Sequence, residues 1–438
     1  MTDHLTMTRP HVGSALAGRA THTPAPLGDG ARLLSINNYH YRRGGAEFVF
    51  LEHNRVFGKH GWDVVPFCMQ HPDNEPSPWD SYFVEEIEFG RDYGPLAKAK
   101  RAAKVIYSLE ARRKLRGLIA QARPQVAHAH NVYHHISPAI FSVLKAENVP
   151  TVLTLHDLKL ACPAYTMLRA NQPCESCRGG KIHNVLRHRC LKGSAALSAV
   201  AWAEAMLHAS LGTYRDNIDR FVVPSRFYID KLVEWGWPRA RFTHIPNFVD
   251  VERFSPQGQP GRGFLYFGRL SPEKGLPTLI RAAAKAGVPL TIVGTGAQEP
   301  ELRGVAAAAR ADVTFLGYRS GDALHAAVTA ARAVVLPSEW YENAPVSVLE
   351  AYALGRPVIG ARIGGIPELV REGETGTTFP SRDVDALAGC LTRFAAMPDA
   401  RVAEMGREGR FWVEHAFTVE RYYARVGALY ADLMEQRR

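Results

Sequence analysis

Short apolar runs recur along the chain and are separated by longer, Ala-rich stretches with apolar residues at helical spacing. A first series comprises ARLLSI (31–36), DVVPF (63–67), QVAHA (125–129), TVLTL (151–155) and RFVVP (220–224). A second comprises FLYFG (264–268), PLTIVG (289–294), DVTFLG (312–317), AVVLP (333–337) and PVIG (357–360). Near-continuous apolar strands alternating with helices predict parallel sheets covered on both faces. The pattern fills twice, so the expected fold class is α/β, with two doubly wound Rossmann-like domains facing a central cleft. Residues 31–238 form the first domain and 239–414 the second, and a chain of 438 residues is long enough for two cores. Ligands are then expected beyond the carboxyl ends of the strands. The stretch 236–254, with two prolines and a short strand, reads as the linker. Residues 415–438 place Tyr422, Val426, Leu429, Tyr430 and Leu433 on one face of an amphipathic helix. Residues 1–30 mix Thr, His, Pro and Gly without the apolar stretch of a signal peptide and read as a disordered tail.

Charge narrows the partners. The formal net charge of +10 favours anions: nucleotide phosphates, acidic lipids or nucleic acid. The stretch 98–123 holds nine Lys or Arg and one acidic residue, and reads as one basic helix with Val105, Ile106, Leu109, Leu115, Leu118 and Ile119 inward. It is either a solvated face or a helix lying on an anionic membrane. Without interleaved aromatics for stacking, it is a poor polynucleotide site. No run of eighteen apolar residues is present to span a membrane.

Four short motifs carry candidate chemistry. In RRGGAE (42–47), Gly44 and Gly45 allow close backbone approach, and a helix starting at about Ala46 turns free N–H groups toward an anion. In LYFGRLSPEKG (265–275), Arg269 and Lys274 share a loop between a strand and a helix, as a diphosphate site requires. In EWYENAPVSVLEA (339–351), Pro345 suits the first turn of a helix. Glu342 then sits at the mouth of that helix and Glu350 a little over one turn inside it. That spacing is not an i, i+4 surface couple, and the N–H groups about Asn343 and Ala344 lie between the two carboxylates. In TLHDLKLACPAY (154–165), the pair His156–Asp157 follows a strand at the crevice edge. Each motif has a bland counterpart: a glycine turn, a solvated basic loop, a surface salt bridge, a packed histidine.

Together these residues resemble the retaining glycosyltransferases of the family-4 type, which have the GT-B fold. The resemblance covers roughly residues 32–435. It rests most specifically on GRLSPEKG, on the E-x7-E element in PSEWYENAPVSVLEA, and on GGIPELV (364–370) after the next strand. It implies that Arg269 and Lys274 neutralise a donor diphosphate, Glu342 contacts the transferred sugar and Glu350 binds the ribose hydroxyls. Backbone N–H groups near Asn343, Ala344 and Pro345 would hold sugar and phosphate, and Tyr318, in FLGYRS, would flank the base. Gly44 and Gly45 would approach the diphosphate from the first domain, and His156 would line the reacting sugar. The C-terminal helix would cross back onto the first domain. Where many members carry Gly-Phe-Gly after the first glutamate, this chain has Asn-Ala-Pro, a stiffer loop. The expectation is a cytoplasmic, metal-independent hexosyltransferase that uses a nucleotide-diphosphate sugar, with a polysaccharide or lipid-linked glycan as acceptor and no nucleic-acid partner. The first domain would meet the membrane peripherally.

Cys162, Cys174, Cys177 and Cys190 stand in the spacing C-x11-C-x2-C-x12-C, within an insertion over 160–192 too polar to form its own core. Without an export signal, disulfides are not expected. The spacing suits a structural zinc with four thiolates, or four reduced cysteines in an acceptor-side insertion. In HAHNVYHH, His128, His130, His134 and His135 could also suggest a metal, but the favoured reading has His130 lining the acceptor cleft at the end of strand QVAHA. Two rival functions remain, a nucleotide-sugar epimerase of the same fold and a zinc-stapled nucleic-acid-binding protein; the second leaves Glu342 and Glu350 without a role.

Overall fold

The structure, a computed structural model, describes residues 30–87, 94–256 and 258–437; the expected tail lies outside them but for its last residue. The first sheet contains β1 (Arg32–Ile36), β2 (Asp63–Phe67), β3 (Val126–Ala129) and β4 (Thr151–Thr154). After a two-stranded hairpin, β5 (Leu168–Arg169) and β6 (Gln172–Pro173), it gains β7 (Arg220–Val223) and β8 (Phe242–His244). Its order is β2-β1-β3-β4-β7-β8, all parallel. The second sheet contains β9 (Phe264–Phe267), β10 (Leu290–Val293), β11 (Val313–Gly317), β12 (Ala333–Leu336), β13 (Val358–Ala361) and β14 (Gly376–Phe379). Its order is β11-β10-β9-β12-β13-β14, again parallel. The strand order reverses between β1 and β3 in one sheet and between β9 and β12 in the other. A crevice opens at such points; three of the four motifs follow strands that flank them, and the His156 motif follows β4, one strand beyond β3.

The apolar runs become strands because both faces are covered. Every residue of β3, β4, β9, β12 and β13 is buried. Pro66, which cannot donate to a ladder, is tolerated because β2 is an edge strand. β8 pairs with β7, so the first sheet continues past residue 238 to His244. The strand β14 was not anticipated, because GTTF mixes a glycine and two threonines with one large apolar side chain.

The basic stretch departs from expectation. It forms two helices, Pro95–Ile106 and Leu109–Ala122, not one. Tyr107 is extended, and the Ser108 hydroxyl accepts from the Ala111 N–H to cap the second helix. Some of its charge is internally paired: Lys104 with Glu110 at 2.7 Å, and Arg116 with Glu147 at 3.2 Å. Among the described residues, no helix is long and apolar enough to cross a membrane.

The C-terminal helix, Val419–Glu435, lays Tyr422, Val426, Leu429, Tyr430 and Leu433 against Leu33, Val56, Phe57, Trp62 and Val126 of the first domain. It therefore joins that domain's core. Each fully buried large side chain of this kind contributes roughly 1.5–3 kcal/mol.

Candidate functional site

The loop after β9 turns at Gly275, whose φ is +69° and where a Cβ would stand 2.1 Å from the Pro337 carbonyl oxygen. That close approach brings the β9 and β12 loops together. Lys274 Nζ lies 2.6 Å from Glu342 Oε1, and the Ser338 hydroxyl donates to the same oxygen at 2.7 Å. The Lys274 ammonium also stands 5.2 Å from the centre of the Trp340 ring. Glu342 is buried. Burial alone would raise its pKa, but the Lys274 charge and hydrogen bonds from Lys274 and Ser338 leave the carboxyl below its ordinary value. The site therefore holds a buried, ionised carboxylate paired with an ammonium.

Glu350 lies in the helix Val346–Ala353, behind the cap position that Pro345 occupies. Its pKa is raised by burial, offset in part by the Arg42 charge across the crevice. Arg42 is thus a third cation facing the site. Sequence reading passed over it, although it sits in the same RRGG motif. Arg269 is exposed and rests against Glu273 at 2.9 Å. Tyr318 is 64% exposed in the loop after β11. Of the three residues expected to offer N–H groups, Pro345 has none to give.

On the first-domain side, Gly44 and Gly45 are exposed at the start of the helix Gly45–Lys59, and a Cβ on Gly45 would meet nothing. No side chain of the cap residue bonds the helix. The Glu47 carboxyl, in the first turn, has its pKa raised by burial, offset by the N–H groups of Glu47 and Gly44, by Arg43 and by Asn131. A protein carboxyl thus already engages part of the expected anion site. His156 does not pair with Asp157. Its Nε2 lies 2.8 Å from His130 Nδ1, with the rings stacked at 5.1 Å, while the Asp157 carboxylate accepts from the Lys159 N–H at 2.9 Å. Burial lowers His156 to about 4 and raises Asp157 to about 6, so His156 is neutral near pH 7.

Family models match both halves: "Glycosyltransferase Family 4" over residues 43–253 and "Glycosyl transferases group 1" over 252–411. A glycogen synthase of Mycobacterium tuberculosis is 30% identical over 321 residues, 70% of this chain and 68% of that one. The chain belongs to the family-4-type glycosyltransferases. A GDP-mannose-dependent monoacylated α-(1-6)-phosphatidylinositol monomannoside mannosyltransferase of Corynebacterium glutamicum is 33% identical over 236 residues, 48% of this chain and 61% of that one. This glycosyltransferase has the GT-B fold. The sucrose-phosphate synthase of Thermosynechococcus elongatus aligns over 93% of it and 100% of that chain, with a TM-score of 0.68 at 20% identity. Anabaena HepE in complex with UDP-glucose aligns over 92% and 99%, with a TM-score of 0.62 at 16% identity.

Within this glycosyltransferase, the four insertion cysteines carry free thiols. Burial raises Cys177 to about 12, and the nearby thiols of Cys162, Cys190 and Cys174 add to the effect. They are nevertheless not the group closest to metal-ligand spacing. Among the described residues, the one set of three or more ligand-type side chains with donor atoms drawn within 4.8 Å is His53, His128 and His130. Four ring nitrogens of that trio already hydrogen-bond to hydroxyls: His53 to Tyr422 (2.8 Å) and Tyr430 (3.2 Å), His128 to Tyr430 and to Thr154 (2.6 Å). His130 Nε2 alone is buried without a partner. One unpartnered ring nitrogen does not make a cation site, and the trio reads as a polar core satisfied except at that atom.

Proposed function

We propose that this glycosyltransferase moves a sugar, with retention, from a nucleotide-diphosphate sugar to a polysaccharide or lipid-linked glycan. The observation that carries the reading is the buried Lys274–Glu342 pair where the β9 and β12 loops meet. Lys274, Arg269 and Arg42 are the cations available to a diphosphate leaving group, so charge developing there is met by side chains without a required metal. Glu342 contacts the sugar and Glu350 the ribose. Neutral His156 presents its remaining nitrogen, Nδ1, to the sugar from the other domain. A same-face attack, in which a donor phosphate oxygen takes the acceptor proton as the sugar–phosphate bond breaks, fits a site without a nominated carboxylate nucleophile. The Corynebacterium relative is GDP-mannose-dependent and Anabaena HepE forms a complex with UDP-glucose, which supports a nucleotide-sugar donor without choosing the base.

The test is a thermal-shift panel of UDP-, GDP-, ADP- and dTDP-sugars on wild type and Glu350→Ala. A shift from one nucleotide that disappears in the variant supports the donor assignment. Equal shifts in both proteins would remove Glu350 from the site.

The acceptor reading brings the first domain to an anionic membrane face. Leu96 is 86% exposed on the first basic helix and Leu109 is 73% exposed at the start of the second. Leu197 and Met206 are exposed on the helix Ala195–Ser210, which packs against the first. Apolar side chains beside Lys and Arg suit an interfacial surface. Binding to vesicles containing anionic phosphatidylglycerol is expected at low salt and should weaken in Leu96→Asp. No sedimentation with such vesicles would sink the membrane claim.

The insertion is proposed to take one structural zinc through Cys162, Cys174, Cys177 and Cys190. Backbone N–H groups of Ala164 and Met167 are directed to the Cys162 sulfur, and that of Val185 to Cys177. Such contacts favour a thiolate. One equivalent of zinc in the purified protein, lost in Cys174→Ser/Cys177→Ser, is the expected result; a metal-free protein with four titratable thiols is the contrary one.

A further inference from the structure

The Asn-Ala-Pro loop that follows Glu342 reaches across the domain boundary. The Asn343 side chain points out of the donor domain. Its Nδ2 donates to the Leu155 carbonyl at 2.8 Å, and its Oδ1 accepts from the Ser225 hydroxyl at 2.8 Å. Leu155 immediately precedes His156. Ser225 caps the first-domain helix Arg226–Glu234, and its hydroxyl also accepts from the Tyr228 N–H at 3.3 Å.

The same junction is closed from two further directions. Glu368, in the GGIPELV segment of the donor domain, accepts from the Arg226 N–H at 2.9 Å and the Phe227 N–H at 2.7 Å. A carboxylate from one domain thus caps a helix of the other, satisfying two of the helix's orphan donors. Gly365 lets the three segments meet. A Cβ there would fall 2.0 Å from the Asn343 carbonyl oxygen and 2.8 Å from Ser225 Cβ. The Tyr341 hydroxyl donates to Glu175 of the cysteine insertion at 2.9 Å, and the Tyr228 hydroxyl donates to the Tyr341 carbonyl, also at 2.9 Å.

We propose that Asn343 is a positioning residue: its side-chain amide latches the loop bearing Glu342 to the strand end bearing His156, and so fixes the two domains in the closed arrangement in which both face the same sugar. A glycine at this position would have no side chain to do so. Aspartate cannot replace it, because a second carboxylate oxygen would face the Leu155 carbonyl where an N–H must stand. The functional part of the inference rests on the glycosyltransfer reading; the latch itself does not. Misplacing reacting groups by about 1 Å can cost about a hundredfold in rate, which sets the scale of the expected loss.

The experiment compares wild type, Asn343→Asp, Asn343→Gly and Ser225→Ala. Small-angle scattering of the ligand-free proteins is the arm that needs no donor. The aspartate and glycine variants should be more expanded than wild type, with Asn343→Gly serving if the aspartate protein folds poorly. Superimposable scattering curves for all four would overturn the latch. With UDP-glucose or GDP-mannose, whichever shifts the wild-type melting midpoint, Asn343→Asp should release nucleotide about a hundredfold more slowly while its midpoint shift and KM change little. A loss appearing in KM alone, with kcat kept, would mean that Asn343 binds donor directly and would overturn its positioning role. If neither nucleotide sugar acts on wild type, the donor reading is what fails, and scattering still decides the latch.

Discussion

Replacing Lys274 by alanine is expected to lower kcat by roughly two to three orders of magnitude, the usual cost of removing a preorganised group that meets developing charge. The same change should destabilise the protein. Lys274 Nζ is 2.6 Å from Glu342 Oε1, and the Glu342 side chain is only 9% exposed. Removing one partner of a buried pair leaves the other uncompensated, at a cost of about 3–5 kcal/mol. The two effects separate by pH. In wild type, Glu342 is held below its ordinary pKa, so its contribution to stability is present above the unfolded value of 4.5 and is lost as pH falls through the folded value. In the variant the main lowering cause is gone, burial dominates, and the carboxyl moves up. The Lys274→Ala protein should then gain stability relative to wild type as pH falls from 7 toward 5. Adding Glu342→Gln should restore much of the melting midpoint and none of the turnover. A single variant that melts like wild type at every pH would show that the pair is solvated and that Glu342 is not held charged by Lys274.

The two-domain architecture was legible because parallel strands buried on both faces write themselves as apolar runs, and ten such runs all became strands. Of the strands in the two large sheets, the one missed, β14, has only Phe379 as a large apolar residue. The single basic helix was misread because Leu109, which seemed to continue its apolar face, is exposed at the start of a second helix. For the site, E-x7-E and the Arg269–Lys274 loop announced themselves through spacing. Contacts between residues far apart in sequence had no such signal. Nothing local says that Arg42 faces Glu350, that His156 turns to His130 rather than to its neighbour Asp157, or that Asn343 reaches the backbone beside His156. His130 is one residue past the end of β3 and His156 two residues past the end of the neighbouring parallel strand β4, and that adjacency is what lets the rings meet. Strand order, available only from the fold, was the missing datum.

Stability should also fall steeply in mild acid, for a reason unrelated to the carboxylates. Burial lowers His53 to about 3 and His156 to about 4, and it holds His128 and His130 well below the ordinary 6.5. All four are neutral in the folded protein and can take a proton once unfolded. Below pH 6.5 the unfolded chain therefore binds more protons than the native one, and stability is lost as pH falls from 6.5 toward 4. Each histidine can contribute a slope of about 1.4 kcal/mol per pH unit, so these four contribute at most roughly 5 kcal/mol per pH unit, and His134 and His135, lowered by burial to about 3 and about 4, add in the same direction. Glu47 and Glu350, which burial also raises, work the other way, and so does Asp157. Its folded pKa of about 6 lies above its ordinary 3.8, so it adds stability as pH falls through 6 and offsets about one histidine. Urea unfolding at pH 7.5, 6.0 and 5.0 should show the midpoint dropping between each pair. Tyr430→Phe separates hydrogen bonding from titration. The Tyr430 hydroxyl stands between His53 Nε2 and His128 Nδ1 and, with one proton, donates to one ring while accepting from the other. Two concerted tautomer sets satisfy the line from Tyr422 through His53, Tyr430 and His128 to Thr154, and both need that hydroxyl. Without it two buried ring nitrogens lose their partner, at about 1–3 kcal/mol each. The variant should be less stable by a similar amount at pH 7.5 and at pH 6, with the acid slope unchanged, because the rings remain buried. A stability that stays flat from pH 7.5 to 5 in wild type would mean that the folded protein protonates these rings, and the C-terminal helix would then be packed less tightly over them than its buried tyrosines indicate.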